Sequence, residues 1–157
     1  MASPQSSELK IRPVCSDDYA NWLPLWKGYL TFYKASISDE VTQSTWMRLL
    51  DANEAVYGAL AFNEESAAVG LVHYLPHRST WTIGNYCYLQ DLFVTEDGRG
   101  LGTGRRLIEH VYQEADRMDC SRVYWLTHET NQAAMLLYDK VADRSGFVQY
   151  RKMLGNK

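Results

Sequence analysis

Cysteine is scarce in this 157-residue chain: Cys15, Cys87 and Cys120 are odd in number and far apart. No C-x-x-C pair exists, which argues against a zinc ribbon or a thioredoxin-like redox motif and leaves the thiols as small buried hydrophobes. The histidines, His73, His77, His110 and His128, show no metal-ligand spacing, so no metal is expected. Basic charge is not in excess. With 16 Lys and Arg against 19 Asp and Glu, the net charge is −3, and nothing points to nucleic acid. No apolar run approaches the length of a membrane span. Met1 to Glu8 is polar and lacks the apolar stretch of a secretory signal, so the chain is read as cytoplasmic, or cytoplasmic and nuclear in a eukaryote. Repeats and linkers rich in Pro, Gly or Ser are lacking beyond Ser3 to Ser7. One domain over residues 8–153 is expected behind a disordered stretch, 1–7.

What is present is apolar and aromatic. Hydrophobic residues make up 46% of the chain, with 5 Trp and 11 Tyr, enough for one packed core without disulfides or metals. Leu9, Ile11 and Val14 suggest a first strand ending at Pro13. Ser16-Asp17-Asp18 supplies helix-start chemistry, and Trp22, Leu25, Trp26, Tyr29, Leu30 and Tyr33 follow at helical spacing. Pro24 falls inside that run, so the helix is expected to begin later or to kink. A second helix is read over residues 39–50. Residues 56–62 and 68–75 form a hairpin pattern, and Pro76 to Ser79 read as a break before a β-rich run from Tyr86 to Val94. Leu107, Ile108, Val111, Tyr112, Ala115 and Met118 lie on one face of an amphipathic helix. A strand over 122–127, a helix through Ala134, Leu137, Tyr138 and Val141, and a closing strand over 146–150 complete the order. The pattern β-α-α-β-β-β-α-β-α-β predicts an α/β (α+β) domain, a mixed sheet flanked by helices.

Between Val94 and the helix that starts near Thr103 lies Thr95-Glu96-Asp97-Gly98-Arg99-Gly100-Leu101-Gly102-Thr103-Gly104. A glycine-rich turn between a strand and a helix lets backbone N–H groups converge, and the helix start adds unpaired donors and the positive end of its dipole. That is an anion site suited to phosphate, with Arg99, Arg105 and Arg106 beside it. It is not a P-loop, because no lysine follows at the required spacing. It is not a dinucleotide fingerprint either, because Thr103 and Arg105 occupy the third-glycine positions.

Arg99-x-x-Gly102-x-Gly104 resembles the [RQ]-x-x-G-x-[GA] loop of the GNAT superfamily of N-acetyltransferases. Tyr88 to Val94 is similar to the diamine (spermidine/spermine) acetyltransferase branch. Trp125 to Asn131 and Leu137 to Lys140 resemble the yeast histone, polyamine and D-amino-acid acetyltransferase branch. The resemblance implies a mostly antiparallel sheet with a splayed central strand pair, a homodimer, and acetyl-CoA as cosubstrate. It implies that the backbone of Leu92, Phe93 and Val94 pairs with the pantetheine arm. Arg99, Gly100, Leu101, Gly102, Thr103, Gly104 and Arg105 would hold the pyrophosphate. Asn131 would bind the pantetheine side, act as a helix N-cap, or do both. Tyr138 would face the cofactor sulfur as general acid.

The chemistry implied is attack of a neutral amine on the thioester carbonyl, with a proton supplied to the departing thiolate. The attacking alkyl ammonium must first lose a proton. Gln90 stands where the diamine branch has a glutamate; an amide orients a water but is no base. Asp91, Glu129 and His128 are the other candidates, and strand alternation sets Asp91 on the face opposite Gln90. Tyr29, Tyr33 and Glu129 are candidate acceptor-binding residues, with Phe32, Asp39 and Glu40 near the first helices, because aromatics and acids suit an ammonium group. The acceptor is read as a polyamine, an amino acid or a lysine-like amine. The alternatives are a protein or histone lysine acetyltransferase, a non-catalytic acyl-CoA-binding regulatory domain, and an interaction module with an empty loop.

Overall fold

The computed structural model describes residues 8–155 and 157, so the expectation for residues 1–7 lies outside the described residues. The elements in chain order are β1 (Lys10–Pro13), α1 (Tyr19–Phe32), α2 (Asp39–Leu50), β2 (Tyr57–Phe62), β3 (Ala68–Arg78), β4 (Asn85–Val94), α3 (Thr103–Arg117), β5 (Cys120–Tyr124) and α4 (Gln132–Val141). Short 3-10 turns cover Ser16–Asp18 and Glu96–Gly98. The chain divides into two compact units, one ending at Leu126 and one formed by Thr127–Lys157.

The first unit holds one five-stranded sheet in the order β1-β2-β3-β4-β5. All neighbours are antiparallel except β4 and β5, which run parallel. Successive β3 residues face opposite sides. Leu71 and His73 face α1, where Trp22, Leu25 and Trp26 meet Trp46 of α2 over Leu60 and Phe62. Gly70 and Tyr74 face α3. A Cβ on Gly70 would stand 2.8 Å from Leu107 and 2.9 Å from Thr103, so its bare backbone lets α3 sit close on the sheet. The α3 face read from the sequence is the buried one, with Leu107, Ile108, Val111 and Ala115 all inside.

Four local expectations change. α1 runs from Tyr19 through Pro24, so the proline neither delays its start nor ends it. β3 continues through Pro76 to Arg78. Its pairing with β2 stops at Tyr57↔Tyr74, so Pro76 lies where β3 has become an edge, a position that tolerates a missing N–H. β5 ends at Tyr124 rather than Thr127. Residues 146–150 form no strand: Phe147, Val148 and Tyr150 are exposed, and no neighbouring backbone among the described residues takes their hydrogen bonds. Of the cysteines only Cys87 is fully buried; Cys15 is exposed.

Candidate functional site

The glycine loop has the backbone form that an anion cradle needs. Gly100 and Gly102 have φ of +79° and +75°, conformations that favour glycine, and nothing lies within 4 Å of where either Cβ would stand. Gly102 is the N-cap of α3, so the unpaired N–H groups of that helix's first turn open onto the same place. The loop therefore fits a pyrophosphate. The other loop positions divide the labour differently from the sequence reading. Gly98 is there for packing, because a Cβ would sit 2.9 Å from the Val69 carbonyl oxygen. The Thr103 hydroxyl turns inward and donates to the Gly98 carbonyl at 2.7 Å, leaving only its main chain for a ligand. Arg99 and Leu101 are exposed. Arg105 lies against Glu109 at 3.0 Å, a half-exposed pair weak enough to yield to an anion.

The strand before the loop is irregular where the chemistry is expected. His73 pairs with Asp91 and Tyr74 with Leu89, so Gln90 is the extra residue of a β-bulge on β4. The bulge voids the alternation argument across residues 89–91: Leu89 lies opposite Tyr74, on the α3 face, while Asp91 lies opposite His73, on the α1 face. Gln90 is exposed. The β4–β5 ladder ends at Tyr88↔Tyr124, whereas β3 follows β4 to Val94. The two parallel strands therefore part just before the bulge. Beyond that point the second edge of β4, along Leu92, Phe93 and Val94, has no ladder partner among the described residues. An amide-bearing chain can bond to such an edge as an added strand does.

Asp91 lies on the α1 side of this opening, and its side chain is largely buried. An indole N–H can only donate, and Trp22 Nε1 lies 3.0 Å from His73 Nε2. That nitrogen is therefore the acceptor, and the ring proton on Nδ1 is donated to Asp91 Oδ2 at 3.0 Å. Burial first, and then the Asp91 carboxylate, push the phenol of Tyr29 on α1 well above its usual range. Tyr33 and Tyr88 are raised by the same two causes. Tyr29 and Tyr33 contact ring to ring at 4.8 Å, and Tyr88 stacks on Tyr124 at 5.1 Å. The result is a carboxylate walled by phenols on one edge of the gap, an arrangement that suits an ammonium ion. Tyr29 and Tyr33 are two of these phenols. Phe32 is exposed, and Asp39 and Glu40 are exposed residues in the first turn of α2. Sequence reading missed His73 and Trp22. A histidine inside the apolar run of β3 was the available signal, since a buried polar group needs a partner.

In the second unit Asn131 occupies the N-cap of α4, but its side chain makes no cap bond. Its Nδ2 donates to Thr127 Oγ1 at 3.2 Å instead. Tyr138 lies on the half-buried face of α4 with Ala134, Leu137 and Val141. His128 is exposed and accepts from the Thr130 backbone N–H, so it shapes the turn before α4; Glu129 beside it is exposed.

The Acetyltransferase (GNAT) family pattern matches residues 20–142. The chain is 38% identical over 148 residues to a D-amino-acid N-acetyltransferase, HPA3, of Saccharomyces cerevisiae, covering 94% of this chain and 92% of that protein. It is 34% identical over 90 residues to a thialysine N-epsilon-acetyltransferase of Caenorhabditis elegans, covering 57% of this chain and 54% of that protein. Among solved structures it resembles a probable acetyltransferase with a TM-score of 0.82 at 20% identity, covering 94% of this chain and 99% of the other. It also resembles an aminoglycoside N-acetyltransferase determined with CoA, with a TM-score of 0.74 at 16% identity over 99% of this chain and 98% of the other.

Proposed function

The chain belongs to the Acetyltransferase (GNAT) family and is an acetyl-CoA-dependent N-acetyltransferase, and on that premise we propose that its acceptor is the primary amine of a small cationic molecule: a polyamine, an amino acid or a lysine-like amine. One observation carries the acceptor class. Asp91 presents a carboxylate among Tyr29, Tyr33 and Tyr88 where β4 and β5 separate. A carboxylate with aromatic walls attracts an ammonium group by charge and by the ring faces. The D-amino-acid and thialysine acetyltransferases among the relatives support the same class.

In this reading the main chain from Arg99 to Gly104, with Arg105, holds the pyrophosphate of acetyl-CoA. The free edge of β4 at Leu92, Phe93 and Val94 holds the pantetheine amides, and Asn131 assists. Bound acetyl-CoA supplies a thioester carbonyl as the electrophile. The β4 main chain donates to the oxygen of that carbonyl as the amine attacks. Gln90 orients a water at the bulge. Tyr138 gives its phenolic proton to the departing thiolate. Glu129 is assigned to the acceptor side. Cytoplasmic residence and a homodimer belong to the same proposal, and the homodimer rests on the resemblance.

A thiol-release assay across polyamines, D- and L-amino acids, thialysine and lysine-containing histone peptides tests the acceptor class. Small amines are expected to exceed the peptides in kcat/KM by roughly 10-fold or more. Turnover confined to the peptides would replace this reading with protein lysine acetylation.

A further inference from the structure

An ammonium group held at Asp91 cannot attack until it loses a proton. Asp91 already accepts from His73, and Gln90 is no base. A second polar chain starts where the strands part. Tyr124 is the last residue of β5 and pairs with Tyr88, the residue at which the β4–β5 ladder ends. Its ring stacks on Tyr88 at 5.1 Å, so the two phenols stand side by side where the strands part. His77 of β3 lies with Nε2 2.7 Å from the Tyr124 hydroxyl. Its Nδ1 lies 2.8 Å from the Arg78 carbonyl oxygen, which can only accept, so Nδ1 carries the ring proton. Nε2 is therefore a bare acceptor facing a phenol O–H. The imidazole is exposed on its outer side, open to water.

We propose that Tyr124 and His77 form the proton exit of the acceptor site. An N–H bond of the acceptor ammonium breaks and its proton passes to the Tyr124 oxygen. The Tyr124 O–H proton passes in the same step to His77 Nε2. The products are a neutral amine with a free lone pair, an unchanged phenol and an imidazolium that returns its proton to solvent. Tyr124 touches the amine and is the catalytic residue; His77 acts through it and is a positioning residue. The groups facing His77 are Tyr86 of β4, edge-on at 6.0 Å, and Tyr124 of β5. The Arg122 guanidinium lies over the Tyr86 ring at 4.2 Å. Burial first, and then Cys87, raise the Tyr124 phenol, so it passes a proton on without residing as phenolate. This inference rests on acetyl transfer to an amine at the Asp91 site.

The test uses whichever acceptor the wild-type enzyme acetylates, so that failure of the small-amine reading leaves the relay open to judgement. His77→Gln keeps an acceptor for the Tyr124 O–H but cannot take its proton. It is expected to lower kcat/KM for the amine by about 10²-fold, with acetyl-CoA KM unchanged, and to abolish the acidic limb of the pH profile. Added imidazole should restore turnover to His77→Ala, and Tyr124→Phe should lose activity without rescue. In the free protein, 15N spectra of His77 should show the Nδ1–H tautomer. A His77→Gln profile that overlays the wild type, or an Nε2–H tautomer, overturns the proposal.

Discussion

His73 stands in the apolar run of β3 with both ring nitrogens engaged, one accepting from Trp22 and the other donating to Asp91. The pair is buried, and the hydrogen bonds fix the direction in which the Asp91 carboxylate points. From α1, Tyr29 feels the charge of this carboxylate. The sequence marked Tyr29 and Tyr33 as candidate acceptor residues, because aromatic side chains near a helix end suit a cation. Asp91 was turned away by strand alternation, and alternation fails at a bulge that no local pattern around Gln90 announces. Tyr138 is legible only through the resemblance, since its spacing from Ala134 marks an amphipathic helix and nothing more. If it serves as general acid, Tyr138→Phe lowers kcat by about 10²–10⁴-fold while both KM values hold. Steady-state kinetics with acetyl-CoA and the best amine read this directly, and a kcat close to that of the wild type removes the role.

Elements with strong local punctuation came out of the sequence with the right bounds. α2 starts and stops as read, because Ser38 caps it by accepting from the Val41 N–H at 3.2 Å and acids fill its first turn. The glycine loop was legible as a strand-to-helix turn and a candidate phosphate cradle for the same kind of reason. Its two open glycines adopt positive φ, so Gly102→Ala is expected to cost about 1 kcal/mol in backbone strain and to raise the acetyl-CoA KM while leaving the amine KM alone. The closing strand was not legible, because a strand depends on a partner backbone far away in sequence. The joint between β1 and α1 makes a pH prediction. Asp18, buried, accepts from Arg12 at 2.6 and 2.9 Å, from the Cys15 N–H at 2.9 Å and from Asn21 at 3.3 Å. The Arg12 guanidinium foremost, then the Cys15 N–H, hold this carboxyl well below the usual carboxylate range against its burial. The unfolded chain then binds this proton more readily than the folded one. The stabilisation is therefore complete above the ordinary carboxylate pKa of about 3.9 and drains away as pH falls below it. Melting temperatures from pH 7 down to pH 2 should show a decline that Asp18→Asn makes shallower, with the variant less stable at neutral pH by about 3 kcal/mol.

Across the first unit, one sheet separates two tasks. α3 and the glycine loop are assigned to the phosphate end of the donor in the proposed reading, and α1 brings phenols to a carboxylate on the other face of β4. The parting of β4 from β5 opens the space that acetyl transfer needs. The order of elements as far as α4 was legible because it rests on periodicity, and the glycine loop stood out as a candidate donor site because it carries its own chemistry. The acceptor site was only partly legible, because it is assembled from α1, β3, β4 and β5. Among the described residues no helix is long and apolar enough to cross a membrane. The most direct measurement is a comparison of Asp91→Asn with the wild type in both substrates. Asparagine preserves the acceptor for His73 and removes the charge. The amine KM should rise by about 10–100-fold, with the acetyl-CoA KM unchanged within about twofold. An amine KM equal to that of the wild type would contradict an ammonium site at Asp91.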